Sequence, residues 1–148
     1  QGADIPLYLA KQKAAALLPT LTADDLLITA DTIVWLDGAV YGKPTDAADA
    51  KRMLHALSGR THDVITGVCV TTTARQESFA TTTKVTFATL DSAEIDYYID
   101  KYRPFDKAGS YGVQEWIGYI GVERLEGSYY NVMGLPIQRL YTVLKQWK

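Results

Sequence analysis

The segment Leu-Leu-Ile-Thr-Ala-Asp-Thr-Ile-Val-Trp, residues 26–35, continues as Leu-Asp-Gly-Ala-Val-Tyr-Gly-Lys to residue 43. Its first ten residues are almost all aliphatic, β-branched or aromatic, which predicts a strand buried on both faces of a sheet. Asp31 interrupts this run. A carboxylate is costly to bury alone, so we expect Asp31 to face a cation, a metal, hydrogen-bond donors or water, as in a functional site. The alternative is that Asp31 caps a neighbouring helix or pairs with an internal lysine.

The residues that follow this strand predict a tight return of the chain. Asp37-Gly38 is typical of a two-residue hairpin, and Gly42-Lys43-Pro44 would then end the second strand. The hairpin would bring Lys43 back towards Asp31 and Thr32. This places a cation near the buried acid.

Helical and strand patterns alternate along the rest of the chain. A first helix is expected from Asp4, as its N-cap, to Pro19, and a second from a Thr45 cap to Gly59. Residues 64–73 and 79–88 are rich in Thr and Val and predict an antiparallel hairpin that turns at residues 75–77. The architecture is therefore an α/β fold, with a mixed α+β sheet on which helices pack.

The remaining elements follow from capping and periodicity. Asp91 and Glu94 predict a capping box for a third helix that stops before Pro104. Residues 116–122 are expected to form a strand. A closing helix from Pro136 is expected to bury Ile137, Leu140, Tyr141, Leu144 and Trp147.

Composition narrows the class of protein. A chain of 148 residues fits one domain over residues 1–148. The net charge of -2 argues against non-specific nucleic-acid binding. Cys69 is the single cysteine, which favours a reducing compartment, and no apolar run is long enough for a membrane span. We therefore expect a cytoplasmic protein with no membrane partner.

Two further groups of polar residues could carry chemistry. Residues 106–114 form a loop that contains Lys107 and two glycines, whose backbone amides could approach an anion closely. Lys13 is expected to face inward from the first helix. A lysine about 4 Å from a phosphate contributes roughly 4 kcal/mol at an effective dielectric near 20 before desolvation, so several lysines could hold a polyphosphate. Each lysine could equally be a solvated surface charge.

Other residue types give weaker signals. His55 and His62 lack a second His or Cys at ligand spacing, so a zinc site is not expected. Gln114 offers both an amide donor and an acceptor, although it could also be an ordinary loop amide.

Six ordered blocks of the chain resemble the Maf family, also called septum formation inhibitors. The blocks are Leu9-Ala10-x-x-Lys13-Ala14, Ala30-Asp31-Thr32-x-Val34, Gly42-Lys43-Pro44, Leu57-Ser58-Gly59-Arg60-x-His62-x-Val64-x-Thr66-Gly67, Asp106-Lys107-Ala108-Gly109-x-Tyr111-Gly112-x-Gln114 and Asn131-Val132-x-Gly134-Leu135-Pro136. The resemblance spans nearly the whole chain.

The resemblance implies an ITPase-like fold and a nucleoside triphosphate pyrophosphatase that uses a divalent metal, Mg or Mn. It implies that Asp31 is the proton acceptor and that Thr32 and Gln114 select the nucleobase. It also implies that Lys13, Lys43 and Lys107 bind phosphate. The loop is similar to that of the dTTP/UTP branch, and the amide donor and acceptor of Gln114 suit the O4/N3 edge of uracil or thymine. Asp31 could be the base or a ligand of the metal, and these roles stay open. Family members often pair, so a homodimer is expected.

The resemblance leaves alternatives and one departure. A pyrophosphatase for a modified purine such as 7-methyl-GTP, and a non-catalytic nucleotide-binding regulator of cell division, are the other hypotheses. Members of the family usually begin with a strand and a Ser-Pro-Arg-Arg segment that grips phosphate, and nothing before Lys13 matches it. Either this segment lies outside the sequence of residues 1–148 or the protein has lost it.

Overall fold

The computed structural model describes residues 2–147 and contains one five-stranded sheet. Its strands lie in the order β2-β1-β3-β4-β5, and each described pair is antiparallel. The strands are β1 (Leu27–Leu36), β2 (Ala39–Tyr41), β3 (Thr61–Thr71), β4 (Gln76–Phe87) and β5 (Val122–Glu126). The helices are α1 (Asp4–Leu17), α2 (Ala47–Leu57), α3 (Ser92–Tyr102), α4 (Trp116–Gly121), α5 (Tyr129–Met133) and α6 (Ile137–Lys145). The predicted fold class, helices packed on a sheet, is confirmed.

Both predicted hairpins are present. Asp37 and Gly38 have φ angles of 51° and 78°, and two positive φ angles are what a type I′ turn between β1 and β2 requires. The β3–β4 turn lies earlier than predicted, where Thr72 N–H donates to the Arg75 carbonyl at 2.8 Å. Gln76 therefore already pairs with Thr71 in the sheet.

The helix caps are close to their predicted positions. The capping box of Asp91 and Glu94 is confirmed at α3. Asp46 rather than Thr45 caps α2, because its carboxylate accepts from Asp49 N–H at 2.8 Å. Asp4 is the first residue of α1 rather than its N-cap.

Two sequence predictions about the C-terminal third are wrong. Residues 116–121 form α4, and β5 begins only at Val122, because Ile117 is buried in the core and Gly118 packs tightly on Val113. Tertiary packing there overrides the β-propensity of the aromatic and β-branched residues. The second error concerns the closing helix, which was expected to bury Ile137 and Tyr141. In α6 Leu140 and Val143 are buried, whereas Ile137 and Tyr141 are 52% and 61% exposed.

The two faces of the sheet carry different helices. Val64 of β3 packs in the main core with α2 and α3, and Val68 and Val70 pack with Leu140 of α6. The alternate residues of β3 face α1, where Cys69 is buried against Ala10 and Ala14. These faces determine where each residue of the neighbouring strand β1 points.

The centre of β3 lets α1 approach the sheet closely. A Cβ on Gly67 would lie 2.5 Å from the backbone of Pro6 and Leu7. Only glycine permits this contact between helix and strand.

The first half of β1 is more open than predicted. β2 pairs only with Val34, Trp35 and Leu36 of β1. Ile33 and Val34 are buried, but Ile28 is 39% exposed and Asp31 is partly exposed. The strand is thus not buried on both faces throughout, because its edge beyond β2 is uncovered, and that edge borders a cleft.

Candidate active site

A cleft of about 250 Å³ lies beside the open part of β1. It contains all six residues that the sequence analysis selected: Lys13, Asp31, Thr32, Lys43, Lys107 and Gln114. These residues come from α1, β1, the turn after β2 and the loop between α3 and α4. The fold therefore brings together side chains that are up to 101 residues apart in sequence.

Asp31 is held by α1. Lys13 Nζ lies 3.0 Å from Asp31 Oδ1 and also donates to the Ala30 carbonyl at 3.0 Å. The side chain of Asp31 is 23% exposed and that of Lys13 is 53% exposed. Lys13 is thus not directed into the core but reaches over the edge of β1 into the cleft.

The loop between α3 and α4 is fastened to the turn after β2. Gly109 has a φ angle of 69°, and a Cβ there would lie 2.7 Å from Val34. Gly109 N–H donates to the Gly42 carbonyl at 3.1 Å. This contact places Lys107 and Lys43 beside the same cleft.

The side chain of Lys107 packs on Gly112, and its amino group lies between the carboxylates of Asp106 and Glu115. Its Nζ is 3.2 Å from Asp106 Oδ1 and 3.9 Å from Glu115 Oε2. A Cβ on Gly112 would come within 2.8 Å of the Lys107 side chain. The hydrogen bond from Lys107 lowers the pKa of Asp106, and the charge of Lys43 acts in the same direction. Lys43 is exposed and makes no ion pair within residues 2–147, so it is available to an anion.

Tyr98 supports this loop from below. Its buried hydroxyl donates to the Glu115 carboxylate and accepts from Gly112 N–H at 3.0 Å. Burial is the main cause of the raised pKa of Tyr98. Sequence reasoning does not find this contact, because nothing local marks a tyrosine whose partners lie 14 and 17 residues away.

Thr32 belongs to a chain of hydrogen bonds that runs beneath the cleft. Its Oγ1 is 2.9 Å from Thr66 Oγ1, and the Thr66 hydroxyl donates to the Asn131 carbonyl at 3.2 Å. Thr66 and Asn131 are fully buried. Both stand in the blocks that resemble the family, but no local pattern around them predicts a role at the site. Gln114, in contrast, is exposed and makes no hydrogen bond within the part of the chain that the structure describes.

The cleft fits a metal that arrives with phosphate groups. Magnesium is commonly held by one or two carboxylates together with the phosphates of a substrate. Asp31 and Asp106 line the cleft. Between residues 2 and 147 no three His, Cys, Asp or Glu side chains form a ligand cluster. The donor set suits a shared site of this kind rather than a cage built by the protein alone.

Comparison with known proteins identifies the relatives. A family model described as Maf-like protein matches residues 1–147. A dTTP/UTP pyrophosphatase of Phocaeicola vulgatus is 64% identical over 143 residues, which cover 97% of this chain and 74% of the relative. One of Bacteroides fragilis is 61% identical over 146 residues, covering 99% and 76%, and one of Flavobacterium psychrophilum is 51% identical over 144 residues, covering 97% and 74%. None of the helices between residues 2 and 147 combines the length and apolar character needed to cross a bilayer.

Proposed function

The chain belongs to the Maf family, and from that premise we propose that it hydrolyses dTTP and UTP to the nucleoside monophosphate and pyrophosphate. Relatives at 51% to 64% identity carry the name dTTP/UTP pyrophosphatase. In this reaction a water attacks the α-phosphorus, the bond from that phosphorus to the oxygen of the β-phosphate breaks, and the water loses a proton. The protein must accept the proton and stabilise charge on the departing pyrophosphate.

The observation that carries the proposal is the meeting of one partly exposed carboxylate with three lysines in one cleft. Lys13 already pairs with Asp31 and Lys107 with Asp106, whereas the exposed Lys43 has no such partner in the described residues. A triphosphate carries several negative charges, and each close lysine contributes roughly 4 kcal/mol before desolvation at an effective dielectric near 20. The cleft is therefore suited to the triphosphate.

We assign the roles within the cleft as follows. Asp31 accepts the proton of the attacking water, with Lys13 fixing the orientation of its carboxylate. Lys43 and Lys107, together with Lys13, bind the phosphates, and Thr32 and Gln114 contact the nucleobase. Asp31 could instead ligate the metal, which supplies positive charge to the phosphates when it is bound.

A panel of nucleotides tests the proposal. The purified protein is incubated with dTTP, UTP, CTP, GTP and 7-methyl-GTP in the presence of Mg²⁺ or Mn²⁺, and released pyrophosphate is measured. We expect dTTP and UTP to give the highest kcat/KM. Preference for 7-methyl-GTP would contradict the choice of base. Nucleotide-dependent thermal stabilisation without pyrophosphate would indicate a binding protein instead.

Two further properties are proposed, the first on the resemblance and the second on the cysteine content. We propose that two copies of the chain pair in solution, which sedimentation at twice the monomer mass would support. We also propose a cytoplasmic location, in keeping with the single buried Cys69.

A further inference from the structure

The direction of the hydrogen bonds beneath the cleft is fixed by chemistry. A threonine hydroxyl has one proton to donate and two lone pairs to accept with. The Asn131 carbonyl can only accept, so the Thr66 proton points to it. Thr66 then has no proton left for Thr32, and the 2.9 Å contact between the two hydroxyls must be donated by Thr32.

With this direction, Thr32 can accept a hydrogen bond from a ligand in the cleft but cannot donate one. Its proton is engaged with Thr66, so the lone pairs of its oxygen are what the cleft meets. The nearest atom to a Cβ built on Gly134, another residue of the cleft wall, is Thr32 Oγ1 at 3.9 Å. The Gly134 N–H is engaged with the carbonyls of Tyr130 and Asn131 and does not compete for that oxygen.

We propose that Thr66 and the Asn131 backbone are positioning groups that make Thr32 an acceptor selective for the N3–H of uracil and thymine. This inference rests on the proposed function. At the base-pairing edge of uracil and thymine, N3–H is the only N–H donor, so an acceptor that meets this edge must meet N3–H. The N3 of cytosine is an acceptor and would face the lone pairs of Thr32. The 5-methyl group does not alter this edge, so dTTP and UTP satisfy Thr32 equally.

The pair of Thr32 and Thr66 lies on the opposite face of the sheet from the pair of Asp31 and Lys13. Thr32 pairs with Thr66 and points to the same face as Val34 and Val64, which both line the cleft. Asp31 pairs with Gly67 and points to the face that carries α1. Loss of the Thr66 hydroxyl should therefore change recognition of the base without displacing the pair of Asp31 and Lys13.

The test replaces the hydroxyl and measures discrimination between bases. Thr66→Val keeps the shape of the side chain, and the Asn131 carbonyl still accepts from Gly134 N–H at 3.1 Å. The freed Thr32 hydroxyl can then rotate and donate to cytosine. We expect the ratio of kcat/KM for UTP to that for CTP to fall about tenfold, a typical effect of one mismatched hydrogen bond.

Matched variants separate positioning from general damage. Thr66→Ser restores a hydroxyl and should keep the ratio of the unmodified protein. Thr71→Val changes an equally buried threonine on the same strand, outside the cleft, and should also keep it. If Thr66→Val does not fold, Thr66→Ala removes the hydroxyl without any risk of overpacking.

The outcomes distinguish this inference from the proposed function. A folded Thr66→Val or Thr66→Ala protein with an unchanged ratio overturns the positioning role. Turnover of N3-methyl-UTP at the rate of UTP by the unmodified protein overturns it too, whatever the variants do. Failure of the unmodified protein to release pyrophosphate from either UTP or dTTP would overturn the proposed function itself.

Discussion

Neighbouring residues of β1 have different roles because successive side chains of a strand point to opposite faces of the sheet. Asp31 lies opposite Gly67, on the face that carries α1, and Thr32 lies opposite Thr66, on the other face. Both reach the cleft only because β2 is too short to cover this part of the strand. One dipeptide can therefore contribute to both the phosphate side and the base side of a site.

Replacement of Asp31 by Asn tests the proposed proton acceptor. The amide has nearly the same shape but cannot take a proton from water, so we expect kcat to fall by at least about 100-fold with little change in stability. Pyrophosphate release and thermal unfolding would be measured together. Asp63→Asn is the matched control, since Asp63 also pairs with a lysine, Lys84, at 3.0 Å, but lies outside the cleft. Equal losses in both variants would contradict the role of Asp31.

At the level of single residues, the sequence predicted the groups that carry charge better than the groups that hold them. An acid within an apolar strand and lysines beside glycines are local signals, and all of these residues line the cleft. Thr66 and Tyr98 were not predicted because they act through hydrogen bonds to residues 65 and 14 positions away, which only the folded chain brings near.

The close packing of α1 on the sheet determines whether Lys13 can reach Asp31. Its backbone touches Gly67, and from that position Lys13 reaches Asp31. A glycine within a strand indicates that backbone passes close by, but the sequence does not say which segment. The same limit explains the error at residues 116–121, where local propensity favoured a strand and packing around Ile117 favoured a helix.

Replacement of Gly67 by Ala should move α1 away from β3. The added Cβ would meet backbone atoms at 2.5 Å, which no side-chain rotation can relieve. We expect a loss of about 3 kcal/mol in the free energy of unfolding, together with lower activity because Lys13 is displaced. Urea unfolding measures the first effect and pyrophosphate release the second. Gly42→Ala, where nothing lies within 4 Å of the new Cβ, should leave the unfolding free energy nearly unchanged.

Over the whole molecule, the core and the cleft share side chains. Tyr111 lines the cleft, and its hydroxyl is 2.6 Å from Nε2 of His62, which is 2% exposed inside the main core. Phe87 packs edge-on against both rings. We propose that residues 1–148 unfold as one domain, in a single transition, because this cluster joins β3, β4 and the loop that carries Lys107.

His62 should make the stability of this domain depend on pH. Burial, only partly offset by the charge of Asp63, lowers its pKa from 6.5 to about 4. Between these values the unfolded chain binds a proton that the folded chain does not, so the free energy of unfolding should fall as pH drops from 6.5 to 4. The contribution lost is about 3 kcal/mol, and below pH 4 it changes no further.

Two histidine variants isolate that contribution. His62→Gln can still bond the Tyr111 hydroxyl but does not titrate, so its unfolding free energy, measured in urea at several pH values, should fall less steeply between pH 6.5 and 4. His55→Gln changes an exposed histidine on α2 and should follow the unmodified protein. If His62→Gln also followed it, His62 would bind its proton in the folded state as readily as in the unfolded chain. The cluster around Tyr111 would then be open to water, and the loop that carries Lys107 would lack a rigid base.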